Sequence, residues 1–334
     1  MLSLRIWENS QVAEARRMTA TLARQSGFGE QDVARIALVV TEIATNFVKY
    51  SDEGELLVTC VEVGRKTGID IIALDRGPGI TDVAGSLRNG HSTAGSPGTG
   101  LGAIIRQSAI FDIYTQPGKG TAVFSRVLPT PCSAPSSWCA VEIAAVCKAA
   151  PGEDISGDAW KASCQADGGL IVIADGLGHG PDAAEAAQKA VRIFDANPQV
   201  SPASMLSVMN NALRSTRGAA VAVARIDFTA GTVTFAGIGN ISGTLIDGEV
   251  TRKTVSQNGI VGHAMPTIQE FVYPCSRRTL VILHSDGLAT NWHLQAYSGL
   301  SAKHPGIVAA ILYRDFTRGR DDVTVVVARC TQNA

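Results

Sequence analysis

The ten residues LPTPCSAPSS, Leu128 to Ser137, constrain this chain most, because three prolines fall within them. Proline fixes φ and lacks an N–H, so neither a helix nor a sheet ladder continues through such a run. The chain is therefore expected to form two domains, residues 1–127 and 138–334, joined by a linker at 128–137. At 334 residues each half is long enough to bury a core of its own. Apolar residues make up 45% and charged residues 18%, a globular composition. A net charge of -1 argues against nucleic acid or an anionic membrane as a partner. No apolar run approaches the roughly 20 residues of a membrane span. The opening MLSLRIWENS lacks the basic start and apolar stretch of a signal peptide, so the expected location is the cytoplasm. Seven cysteines, odd in number and without metal-site spacing, read as reduced thiols.

Before the linker, SQVAEARRMTATLARQS and EQDVARIALVVTEIATNFVKYS carry apolar residues at helical spacing. GELLVTCVEVG and GIDIIALDRGPG read as an antiparallel hairpin, LGAIIRQSA as a helix, and IFDIYTQPGKGTAVFSRVL as two further strands. Helices on one face of a mostly antiparallel sheet make an α+β layer.

Three features of this half carry possible chemistry. Glu42, Asn46 and Lys49 form one polar stripe on an otherwise apolar helix, which is either a solvated face or a contact surface. In DRGPG, Asp75 ends a strand while Gly77 and Gly79 let the backbone turn and approach a ligand, although ordinary turns use the same residues. GTGLG, comprising Gly98, Thr99, Gly100, Leu101 and Gly102, stands directly before a helix, where free N–H groups favour phosphate. A later GKGT ends at Thr121.

After the linker, WCAVEIAAVCKAAP, GLIVIADG, GAAVAVARIDF, GTVTFAGIGN, GTLIDGEV, TLVILHSDG and DDVTVVVARC read as strands. The helical stretches PDAAEAAQKAVRIFDA and PASMLSVMNNALRST interrupt them, which suggests two sheets with helices outside. Asp158, Asp175, Asp286 and Asp321 stand at the edges of apolar strands, three of them beside glycine. Any one of them is an ordinary strand cap or turn residue. Four in series are a different matter, because gathered carboxylates repel and lose hydration unless a cation neutralises them, and a hard divalent metal would do so.

The order Glu-x-x-x-Asn, Asp-x-Gly-x-Gly, Gly-Thr-Gly-Leu-Gly and Gly-x-Gly-Thr over residues 5 to 127 resembles the ATP-binding fold shared by gyrase, Hsp90 and histidine kinases. It is most similar to the RsbT and RsbW serine/threonine kinases of partner-switching systems. The resemblance implies a GHKL-type α/β sandwich that binds ATP and magnesium. Asn46 would be the magnesium ligand, Glu42 the candidate base and Asp75 the partner of the adenine amino group. Lys49, Gly77, Gly79, Gly98, Thr99, Gly100, Leu101, Gly102 and Thr121 would line the nucleotide, with the segment from Gly85 to Gly102 as a lid.

The order SGD, ADG, SDG and DDVT over residues 138 to 331 resembles the metal-dependent 2C-type phosphatases, with DGLGHG similar to the SpoIIE, RsbU and RsbX branch. It implies an α-β-β-α sandwich with two magnesium or manganese ions that activate water for in-line attack on phosphorus. Asp175 would bridge the ions and the Gly176 carbonyl would hold one of them. Asp286 and Asp321 would hold the other, with Asp321 taken rather than its neighbour Asp322, and Asp158 would bind directly or through water. No basic residue matches the phosphate-binding arginine of eukaryotic members. Together the halves imply a kinase and a phosphatase acting on a STAS-domain phosphoprotein in a sigma-factor or stressosome-like circuit, with a homodimer possible. The alternative is a phosphatase whose first domain only binds nucleotide and serves as a docking module.

Overall fold

The computed structural model of the chain describes residues 1–63, 66–83, 85, 100–130, 140–165, 167–263, 265 and 267–330. They fall into two compact units. The first is Met1–Ser136 with Ala302–Ile311, and the second is Ser137–Ser301 with Leu312–Ala334.

In the first unit β1 (Leu2–Ile6), β2 (Gly54–Val63), β3 (Lys66–Asp75), β4 (Ile110–Thr115) and β5 (Thr121–Val127) form one sheet in the order β1-β2-β3-β5-β4. Every neighbouring pair is antiparallel. Helices α1 (Asn9–Gln25), α2 (Glu30–Tyr50) and α3 (Gly100–Gln107) accompany it. The apolar residues of α2 recur three and four apart, so Val33, Ile36, Val40, Ile43 and Phe47 share one buried face. That face packs in one core with Leu56, Val58, Ile69, Ile71 and Val123 of the sheet. β1 is absent from the sequence reading, which took those residues only as evidence about targeting. It is an edge strand registered against Gly54–Val58, with Leu2 and Leu4 packed on the core.

Because strand side chains alternate, Asp70 points away from the Ile69 and Ile71 face. It pairs across the strands with Arg126, whose Nε and Nη2 donate to its two carboxylate oxygens at 2.5 and 2.7 Å. Burial pushes the Asp70 carboxyl up despite the guanidinium. Arg126→Met is therefore expected to destabilise the protein by about 3–5 kcal/mol, the cost of leaving one buried charge uncompensated. Urea unfolding checks it, and an unchanged midpoint would contradict it.

Ala302–Ile311 lies beyond the linker in sequence yet belongs to the first unit. Lys303 Nζ reaches Asp112 Oδ1 at 3.0 Å, the His304 N–H donates to Asp112 Oδ2 at 2.7 Å, and the His304 ring stacks on Phe124.

The second unit holds two five-stranded antiparallel sheets. One runs β13 (Phe271–Pro274), β10 (Thr232–Ile238), β9 (Ala219–Asp227), β8 (Gly168–Gly176), β7 (Asp158–Gln165). The other runs β12 (Val250–Lys253), β11 (Ser242–Asp247), β14 (Leu280–His284), β15 (Val323–Cys330), β6 (Val141–Lys148). Ile171, Ile173, Phe235, Leu245, Leu283 and Val326 share one core drawn from both sheets. Val172, Val221 and Val223, which alternate with those positions, pack instead with Phe194 of α4 (Pro181–Ala196) and Met205 and Met209 of α5 (Pro202–Leu213). The expected α+β class with two sheets is the one that forms. The sequence reading omitted α6 (Pro305–Phe316), because Ile307 to Tyr313 are buried all round and so carry no amphipathic period. Cys164 is disulfide-bonded, against the expectation of seven reduced thiols, whereas Cys60, Cys147 and Cys275 are in the thiol form.

Candidate active sites

In the second unit Asp158 opens β7 and Asp175 lies near the end of β8, and the antiparallel register sets the two directly opposite. Asp286 follows β14, while Asp321 and Asp322 precede its antiparallel neighbour β15. The acids thus stand at strand ends. The glycines beside them have a packing reason: a Cβ at Gly176 would lie 2.0 Å from the Ala183 carbonyl oxygen of α4, and one at Gly287 would lie 2.0 Å from the Asp322 carbonyl oxygen. Only glycine allows backbones to come that close.

Partners distant in sequence hold the carboxylates. Ser285 Oγ donates to Asp158 Oδ2 at 2.6 Å and in turn accepts the Thr324 N–H at 2.9 Å. Asn240 Nδ2 donates to Asp286 Oδ2 at 2.7 Å. The Ala150 N–H donates to Asp322 Oδ1 at 2.9 Å. Among the described residues Asp158 Oδ1 and Asp322 Oδ2 are buried without a hydrogen-bond partner.

Burial, then the charges of Asp158, Asp286, Asp321 and Asp322, push Asp175 up to about 8. Burial also pushes Asp158 up to about 7, with the Ser285 hydrogen bond opposing and the Asp322 and Asp286 charges adding. Asp286 is raised by burial and by Asp321, against the pull of Arg318 and Asn240. Hard oxygen donors with two orphaned carboxylate oxygens fit a divalent cation. Among the described residues no three acid, histidine or cysteine side chains are disposed to hold one ion by themselves. Water and substrate oxygens would complete the coordination, as is usual for magnesium.

The upward shifts fix a pH dependence. Between an ordinary carboxylate value of about 4 and the raised values of Asp158 and Asp175, the metal-free native state binds more protons than the unfolded chain. Metal-free stability is therefore expected to fall as pH rises from about 5 to about 8, and manganese should restore it. Thermal unfolding in EDTA, repeated after adding the metal, checks this, and a flat profile would contradict it.

His179 is exposed, with Nδ1 2.6 Å from Glu153 Oε1. Nothing in the sequence around Asn240 and Ser285 assigns either of them a role. The only local signal was their position, Ser285 directly before Asp286 and Asn240 in GIGN.

In the first unit the predicted nucleotide residues form two groups. Glu42 and Asn46, one turn apart on α2, face the start of α3: a Cβ at Gly100 would lie 3.1 Å from Glu42 Oε2 and 3.7 Å from Asn46 Oδ1. The positive end of α3 favours the Glu42 carboxylate there. In the second group Asp75 Oδ1 accepts the N–H groups of Gly77 at 2.8 Å and Thr121 at 3.1 Å. Gly79, at φ 76°, comes so close to Gln116 that a Cβ would lie 2.5 Å from its carbonyl oxygen. Gly102 is buried within α3 and Leu101 packs against the core. Lys49 is exposed and joins neither group. Gly98, Thr99 and most of the expected lid lie outside the described residues.

Two packed sheets with acids at their strand ends define a metal-dependent, 2C-type serine/threonine protein phosphatase, and the antiparallel sheet with helices α1, α2 and α3 is that of a nucleotide-binding, kinase-like domain. Comparison with known proteins agrees. Residues 165–331 match the Stage II sporulation protein E (SpoIIE) model and residues 7–124 the histidine kinase-like ATPase domain. The serine/threonine-protein kinase RsbT of Bacillus subtilis (strain 168) is 34% identical over 120 residues, 36% of this chain and 90% of that protein. A solved structure described under the bacterial stressosome, a modular system adapted to control secondary messenger signalling, is 27% identical with a TM-score of 0.53, covering 57% of this chain and 99% of that one. RsbX in complex with magnesium shares the fold at 19% identity and a TM-score of 0.52, over 57% of this chain and 96% of that one. The chain belongs to the SpoIIE family and carries, ahead of that phosphatase domain, an RsbT-like kinase domain. This pairing is the make-up of a partner-switching regulator. No helix among the described residues is long and apolar enough to cross a membrane.

Proposed function

We propose that the two halves, residues 1–127 and 138–334, act in opposition on a serine or threonine of a STAS-domain anti-sigma-factor antagonist. The observation that carries the phosphatase side is the upward shift of Asp158, Asp175 and Asp286 beside the charges of Asp321 and Asp322, with two buried carboxylate oxygens left unpartnered among the described residues. When bound, two magnesium or manganese ions supply an activated water and neutralise phosphate charge. Asp175, the Gly176 carbonyl, Asp286 and Asp321 would hold them. Asp321 is preferred to Asp322 because it lines an open cavity with Asp286, whereas Asp322 is buried. Ser285 keeps Asp158 in place and Asn240 does the same for Asp286.

On the kinase side Asn46 would hold magnesium of ATP, Glu42 would take the proton of the attacking hydroxyl, and Asp75 would meet the adenine amino group, with the glycines at Gly77, Gly79 and Gly100 shaping the pocket. The likeness to RsbT, named as a serine/threonine kinase, supports transfer. The seat of Glu42 at the start of α3 favours a second reading, in which the carboxylate is held by the helix and the domain binds nucleotide only as a docking module. The likeness to the stressosome-related structure supports a partner-switching circuit. The test is release of phosphate from a phosphoserine STAS-domain protein by the full chain with manganese. No release would refute the phosphatase reading.

A further inference from the structure

The residues assigned above account for metal binding and water activation but give no side chain to hold the substrate's phosphate. Next to the acids lies a cavity of about 490 Å³ lined by Asp286, Asp321, Arg318 and Arg320. Both arginines sit in the turn between α6 and β15, where Gly319 takes φ 65°. The Arg318 N–H donates to the Gly287 carbonyl at 2.9 Å, which ties this turn to the residue following Asp286. The turn is thereby held beside the acids.

Neither guanidinium forms an ion pair among the described residues, although Arg5, Arg24, Arg35, Arg126, Arg217 and Arg314 each do. Were these arginines present only to neutralise Asp286 and Asp321, they would close on them to salt-bridge distance. They stand off instead, near enough for the Arg318 charge to act on Asp286. Two planar forks of donors, exposed and unpaired beside carboxylates suited to cations, match the geometry of a phosphate dianion, which guanidinium binds bidentately. We propose that Arg318 and Arg320 bind the phosphoryl oxygens of the substrate. The proposal rests on the reading of the second domain as a phosphatase, and supplies the cationic grip that no sequence motif provides.

The experiment compares the full chain with R318Q, R320Q and R318Q/R320Q, using p-nitrophenyl phosphate and a phosphoserine peptide with saturating manganese. Loss of one charge-assisted phosphate contact is expected to raise KM for both substrates and Ki for inorganic phosphate by about tenfold to a hundredfold. Manganese affinity and melting temperature should stay at wild-type values, and R318K should recover part of the loss. Wild-type KM and Ki in the double variant would overturn the proposal. So would a loss confined to the peptide, which would make the arginines readers of the polypeptide, or a loss traced to weaker manganese binding. A wild-type chain inactive on both substrates would instead refute the phosphatase reading. Calorimetric binding of inorganic phosphate to the manganese-loaded chain needs no turnover, and equal affinity in wild type and double variant would sink the arginine assignment by itself.

Discussion

Asp175→Asn is expected to lower phosphoserine hydrolysis about a thousandfold, and to raise the melting temperature of the metal-free protein above neutral pH. The two effects have one cause. Asp175 is half-buried, faces Asp158 across the β7–β8 pair and feels the charges of four other aspartates. In the proposed loaded enzyme those charges would hold cations whose contribution to transition-state stabilisation is several kcal/mol, and each 1.36 kcal/mol is about tenfold in rate. Without metal the same carboxylate is a liability, because its ionisation is opposed by burial and by its neighbours. Asparagine keeps the volume and removes the charge. Stability at about pH 8 should then rise by about 1–3 kcal/mol, a shift of several degrees for a domain of this size. Steady-state hydrolysis with manganese, and thermal unfolding in EDTA, check the two halves. Wild-type turnover in the variant would remove Asp175 from the chemistry, and an unchanged melting temperature would mean that the repulsion is relieved in some other way.

Glu42→Gln and Asn46→Ala should separate transfer from binding in the first domain. If Glu42 accepts the proton of the attacking hydroxyl, its amide isostere lowers phosphoryl transfer by about 10²–10⁴-fold while ATP affinity stays near wild type. Asn46→Ala should instead weaken magnesium-dependent ATP binding, because the amide oxygen one turn along α2 is the proposed ligand. Labelled ATP with a STAS-domain protein measures transfer, and calorimetry on the full chain measures binding. Equal transfer by wild type and Glu42→Gln would eliminate the base role. ATP binding by wild type with no label reaching the partner would leave the docking reading standing.

Much of this molecule was legible along the chain. The apolar residues of α2 recur at helical spacing, and those of β8 and β9 form short runs, so periodicity was enough to place these elements. β1 was missed because five residues at the edge of a sheet carry too short a pattern, and α6 because burial on all sides erases the period. The acids were legible too, since a carboxylate closing an apolar run is a local anomaly. Of the glycines beside them, Gly176 has an expected role only through its carbonyl, as a metal ligand. In the structure Gly176 and Gly287 are required by the close approach of Ala183 and Asp322, a contact across the fold that no local reading contains.

The sequence by itself determined which side chains are available: a helix presenting Glu42 and Asn46, and aspartates at the ends of apolar strands. Its local physics, the alternation of side chains and the φ that proline and glycine permit, acts over a few residues and settles no more than that. Only the tertiary structure decided that Ser285 would meet Asp158 from 127 residues away, that Asn240 would hold Asp286, and that the turn bearing Arg318 would be pinned at Gly287. Hydrogen bonds and Coulomb forces depend on separation in space, and the pairing of β14 with β15 and of β7 with β8 sets that separation.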